Sequence, residues 1–128
     1  MTTPFENLEL TCVMARVRAE FSMDTETAER AEKLYRQFLQ LHKKHPETEL
    51  IPSRLVDAVW HQHILDSEKY MNDCHALFGS YLHHRPGLDT AAVLRWEQTK
   101  KLYAQEFNVD IEARGMDMGL CGCHKCTL

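Results

Sequence analysis

The sequence predicts an all-α fold, a compact bundle of about four helices with an irregular histidine-containing loop and a cysteine-rich C-terminal tail. Three observations carry that reading. Apolar residues recur at spacings of three and four through most of the first 107 residues. Cap residues and Pro or Gly breakers stand where these runs begin and end. No pair of alternating apolar and polar segments suggests strands.

Leu8, Cys12, Ala15, Val17 and Phe21 place a first helix at roughly residues 6–21, with Cys12 read as a core residue. Asp24 is the N-cap of a second, five-turn amphipathic helix built on Ala28, Ala31, Leu34, Tyr35, Phe38 and Leu39. Lys43, Lys44 and His45 put positive charge where the helix dipole favours it, and Pro46 stops the helix. Residues 46–53 form a loop ending in Ser53, an N-cap. A third helix is expected from Arg54 to Leu77, closed by Gly79. Residues 80–87 are irregular. A fourth helix starts at Asp89 or Thr90, with Ala92, Val93, Trp96, Thr99, Leu102, Tyr103 and Phe107 on one face. The organisation is therefore a helical domain over residues 1–110 and a Gly/Cys-rich tail over 111–128.

The length suits one domain with its own core. A net charge of -4 without a basic stripe argues against nucleic acid. No apolar run approaches a membrane span, and the N-terminus lacks the pattern of a secretory signal, so the expected compartment is the cytoplasm. Five cysteines, three of them crowded at the end, do not read as a disulfide framework. Reduced or metal-bound thiols fit them better.

The densest chemistry lies in V-D-A-V-W-H-Q-H-I-L-D, residues 56–66, and in F-G-S-Y-L-H-H-R-P, residues 78–86. On a helix His61 and His63 face apart, so they are no chelating pair. Asp57 and His61 are the i,i+4 pair, able to ligate together or to have Asp57 orient the imidazole. His63 lies on the apolar side and reads as core or interface. Along a straight helix His61 and Cys74 would stand about 20 Å apart, so His61 needs partners from elsewhere in the fold. Cys74 is near enough to the helix end for the loop bearing His83 and His84 to fold back to it. His42, His45 and His75 read as surface residues. In the tail, Cys121, Cys123, His124 and Cys126 offer C-x-C-x-x-C spacing suited to zinc or copper.

The candidate ligands are thus Asp57, His61, Cys74, His83, His84, Cys121, Cys123, His124 and Cys126. They point to a small soluble protein that binds or handles a transition metal, zinc or copper, with a metal ion as its partner. Two alternatives are an enzyme using a metal-bound or acid/base His61, and an interaction module without metal. No nucleophile motif, phosphate loop or H-E-x-x-H helix is present.

Y-R-Q-F-L at 35–39, the 56–66 block, Tyr70, D-C at 73–74, F-G-S-Y-L-H-H at 78–84 and E-Q-T-K-K-L-Y-A-Q-E-F at 97–107 stand in order along the chain. Together they resemble the glycine-rich domain-containing protein-like family, from about Asn7 to Phe107. The resemblance implies a Trp-His motif at Trp60 and His61, a family cysteine at Cys74 and a histidine pair at His83 and His84. It also implies that His63 holds a packing position and that short bacterial members carry a Cys-rich tail. After the pair this chain has R-P-G-L-D where such relatives often have a longer loop, and no activity follows from the likeness.

Overall fold

The computed structural model describes residues 3–85 and 91–112. Among them the order is α1 (Thr11–Phe21), α2 (Thr25–Lys44), α3 (Arg54–Leu65), α4 (Ser67–Phe78) and α5 (Ala92–Phe107), with no strand. The two caps expected from sequence form. The Asp24 carboxylate accepts from the Thr27 N–H, and the Ser53 hydroxyl accepts from the Val56 N–H. No helix among the described residues is long and apolar enough to cross a membrane.

Several expectations need correction. The first helix begins at Thr11, not near residue 6. Arg36 of α2 donates to the carbonyls of Phe5, Glu6 and Leu8, so those acceptors are bonded to a side chain and not to a helical ladder. Its start also leaves Cys12 exposed rather than in the core. On α5, Val93 is 59% exposed and does not belong to the buried face of Ala92, Trp96, Thr99, Leu102 and Tyr103.

The correction to the third helix matters most. The helix expected from 54 to 77 is two helices, interrupted at Asp66 (φ -86°, ψ 71°). No Gly or Pro stands at the break; tertiary contacts hold it. The Asp66 N–H bonds to the His63 carbonyl, closing α3 with a tight three-residue turn. From α1, the Arg16 guanidinium donates to the Gln62 carbonyl (3.3 Å) and sits 3.6 Å from the Asp66 carboxylate. Two side-chain bonds then pin α4 back along α3. Trp60 donates its indole N–H to the Tyr70 hydroxyl (2.9 Å), and His63 Nε2 meets the Asp73 carboxylate (2.8 Å). Each joins residues ten apart, which a continuous helix would hold about 15 Å from one another along its axis.

The break makes α3 the central helix. It packs against α1, α2 and α4, and Leu55 through His61 are all buried, as is His63. The core around it is formed by Val13, Val17, Leu34, Phe38, Leu39 and Val59, among others. On the other side of α2, α5 is fixed by Tyr103, whose hydroxyl donates to the Leu34 carbonyl (2.7 Å). Thr99 holds α5 to the α2–α3 loop by accepting from the Ile51 N–H (3.0 Å).

His42 is not the surface residue its sequence position suggests. Its ring stands edge-on to Phe38 at 4.7 Å and tilts toward Trp60 at 6.0 Å. Its Nε2 is buried without a hydrogen-bond partner, and burial lowers its pKa to about 4. The unfolded chain therefore takes up this proton at higher pH than the folded one. Stability from His42 is present above about pH 6.5 and falls as the pH drops toward 4. The shift corresponds to at most about 3 kcal/mol. His42→Phe should flatten the dependence of unfolding free energy on pH between 7 and 4.5, by up to about that amount, in denaturant titrations run with chelator. An unchanged slope would show that His42 takes up its proton at the same pH in the folded and unfolded chains.

Candidate metal centre

Asp57 and His61 lie one turn apart on α3, which brings Asp57 Oδ1 within 3.3 Å of His61 Nε2. The third member comes from the loop after α4. Gly79 ends that helix with φ +75°, a left-handed conformation that glycine adopts without steric cost, and the chain turns back over α3. His84 then lies flat on the Trp60 ring, with centroids 4.0 Å apart and planes within 2°. Its Nε2 is 2.7 Å from Asp57 Oδ1 and 3.0 Å from His61 Nε2. The three side chains are only 7–10% exposed.

This triangle poses a proton-counting problem. Each Nε2 carries either one proton or one lone pair. If His84 shares its N–H between Asp57 and His61, then His61 Nε2 and Asp57 Oδ1 still face each other lone pair to lone pair. If both rings carry the proton at Nε2, two N–H groups oppose one another at 3.0 Å. No single arrangement of neutral rings and a carboxylate makes all three contacts attractive. A cation between them would accept a lone pair from each. Ligands about 2.0–2.1 Å from a metal stand about 3.0 Å apart at octahedral angles and about 3.4 Å apart at tetrahedral ones. The observed separations of 2.7, 3.0 and 3.3 Å need only small adjustment to meet either.

His63 faces away from this cluster, as helical phase requires. Its Nε2–H donates to Asp73, which leaves Nδ1 to accept from the Tyr35 hydroxyl at 2.7 Å. Asp73 is also held by Lys69 at 3.0 Å. Burial lowers the His63 pKa, an effect the Asp73 hydrogen bond opposes. Both ring nitrogens are thus committed to the protein, which leaves this imidazole a structural role.

Cys74 and His83 stand outside the convergent group, whose members among the described residues are Asp57, His61 and His84. The Cys74 thiol is buried against the Leu82 N–H and the Tyr70 hydroxyl, and burial pushes its pKa up, which favours the thiol over the thiolate a metal needs. His83 is exposed beside Tyr81, with ring centroids 4.8 Å apart. Cys121, Cys123, His124 and Cys126 lie outside the described residues. Sequence reasoning named both His83 and His84 but could not choose between them. The signal it passed over was Trp60, whose face selects His84. It also passed over the repeated spacing of ten, Trp60 to Tyr70 and His63 to Asp73.

The chain belongs to the UCP032817-like family, whose description matches residues 7–107. This corrects the expected membership in the glycine-rich domain-containing protein-like family, which the match does not support. No curated protein and no solved structure matches the chain significantly. The family description names no activity, so function has to be argued from the site's chemistry.

The two histidines of α3 should respond differently to substitution. His63→Phe keeps the ring volume but strips Tyr35 and Asp73 of a buried partner. It should lower unfolding free energy by about 1–3 kcal/mol in urea titration, whereas His83→Ala at the exposed loop position should change it by no more than about 0.5 kcal/mol. Equal effects of the two would contradict the assigned roles.

Proposed function

We propose that Asp57, His61 and His84 bind a divalent transition-metal ion and that this small helical protein is a metal-binding protein. The observation that carries the reading is the convergence of one carboxylate oxygen and two imidazole nitrogens on a single point. Two imidazoles and a carboxylate form a donor set of borderline hardness, which suits zinc. Copper(I) would prefer thiolates, so a copper role would draw on Cys121, Cys123 and Cys126. Those three residues, with His124, are proposed here only as donors that could complete the shell.

A centre with three protein donors keeps a position open for water or substrate, the arrangement found at catalytic zinc sites. That favours, as a second reading, an enzyme in which the metal supplies Lewis acidity and lowers the pKa of bound water. Within this chain, Asp57 and His61 would hold the ion from α3 and His84 would hold it from the loop. Trp60 would keep the His84 ring in plane.

Elemental analysis of protein purified without chelator tests the reading. Close to one equivalent of metal per chain is expected, with loss in Asp57→Asn, His61→Ala and His84→Ala. Retention is expected in His83→Ala. The Cys121/Cys123/Cys126 triple Ser variant separates a three-ligand centre, which keeps its metal, from one completed by the tail, which loses it. Full metal content in His61→Ala and His84→Ala alike would sink the assignment. Chelator should also lower the wild-type melting temperature, because a ligand that binds only the folded state adds to its stability.

A further inference from the structure

We propose that Tyr70 is a positioning residue of the metal centre, fixing the loop so that His84 Nε2 is delivered to Asp57 and His61 before the ion arrives. The inference rests on the metal reading of the triad.

His84 is the one member of the triad that does not sit on a helix, so something else must place it. The chain two residues earlier is fastened at its backbone carbonyl. The Leu82 carbonyl accepts from the Tyr70 hydroxyl, and the Leu82 N–H faces the Cys74 thiol. Tyr70 in turn accepts the Trp60 indole N–H at 2.9 Å and lies against the Cys74 thiol. Its own ring is 1% exposed and is held edge-on by His63 at 4.9 Å and Tyr81 at 5.2 Å. Burial raises the Tyr70 pKa, so the group remains a neutral hydroxyl, able to donate and accept at once.

One hydroxyl therefore connects the two surfaces that define where His84 lies. Through Trp60 it fixes the ring on which the imidazole stacks. Through Leu82 it fixes the backbone from which the imidazole hangs. Neither contact touches the metal position, so Tyr70 acts through His84. Groups hydrogen-bonded directly to a ligand typically contribute about 10–100-fold to metal affinity, and Tyr70, which reaches His84 through Trp60 and Leu82, is expected at the lower end of that range. Without the hydroxyl, the ordering of the loop would have to be supplied by the metal itself.

The test is a double-mutant cycle on full-length protein, with zinc affinity measured by competition against a chromophoric chelator. Tyr70→Phe keeps the buried ring and should weaken zinc binding about 10-fold, with one equivalent still bound at saturation. His84→Ala, which loses its metal during purification, still offers Asp57 and His61 to added zinc, and in that background the same change should have no further effect on the weakened affinity, since the only ligand it positions is gone. Unchanged zinc affinity in Tyr70→Phe overturns the proposal, and so does equal weakening in both backgrounds, which marks a merely structural residue. Should Tyr70→Phe fail to fold, Trp60→Phe removes the indole N–H that holds the Tyr70 hydroxyl while keeping an aromatic face for His84, and the same cycle applies. A wild-type protein that takes up no zinc or other divalent metal would instead refute the metal centre itself.

Discussion

The arrangement depends on a carboxylate placed in the first turn of the most buried helix. Asp57 is 5% exposed on α3, which is covered by α1, α2 and α4. An isolated carboxylate there would cost several kcal/mol or would protonate. The fold gives it company from two directions: His61 one turn along the same helix, and His84 brought over from the loop after α4. Both partners are themselves nearly buried, so the cost of desolvation falls on the whole group. Such a group holds together when opposite charge or directed lone-pair acceptance is available at its centre. A positive ion supplies both, and the enclosing apolar core, with Val56, Val59 and Trp60 on the same helix, strengthens that attraction by excluding water.

Delivering His84 requires the chain to reverse after α3, and the break at Asp66 is what makes that possible. Continuous helix from 54 to 77 would carry Tyr70, Asp73 and the following loop away from Trp60 and His63. The interruption folds α4 alongside α3. The two bonds that span ten residues then hold the pair together. The same hairpin thus sets the structural contact of His63 and the approach of the loop to Asp57. Arg16, reaching from α1 to the end of α3, ties this geometry to the remainder of the bundle.

Much of this was legible in the sequence, and what was not has a physical reason. Helical periodicity and caps are local, so Asp24, Ser53, Pro46 and Gly79 marked element ends that the structure keeps. Helical phase is local too, and it correctly separated His61 from His63 and paired His61 with Asp57. The break at Asp66 leaves no such mark, because Leu65, Asp66 and Ser67 are all compatible with helix. It is imposed by contacts from α1 and by bonds to residues a turn or more further on. His42 was misjudged for the same reason: its neighbours in sequence are charged, but its neighbours in space are Phe38 and Trp60. The choice between His83 and His84 depended on which of two adjacent side chains turns toward Trp60, and an irregular loop has no period from which to read that.

The two α3 histidines show what separates a candidate ligand from a packing residue when both are buried. His63 is 1% exposed, and each of its nitrogens has a partner whose proton requirement it meets, Tyr35 as donor and Asp73 as acceptor. One proton on each side satisfies the whole chain of contacts, and a metal could enter only by breaking two good hydrogen bonds. At His61 the Nε2 instead faces another Nε2 and a carboxylate oxygen that already faces that second ring. Protons can make two of those three contacts favourable but not the third. Burial, ring type and helix are the same for both residues. What differs is whether protons alone can reconcile the neighbours. On that criterion an ion would be accommodated between Asp57, His61 and His84, under the metal reading proposed above, and would be excluded at His63.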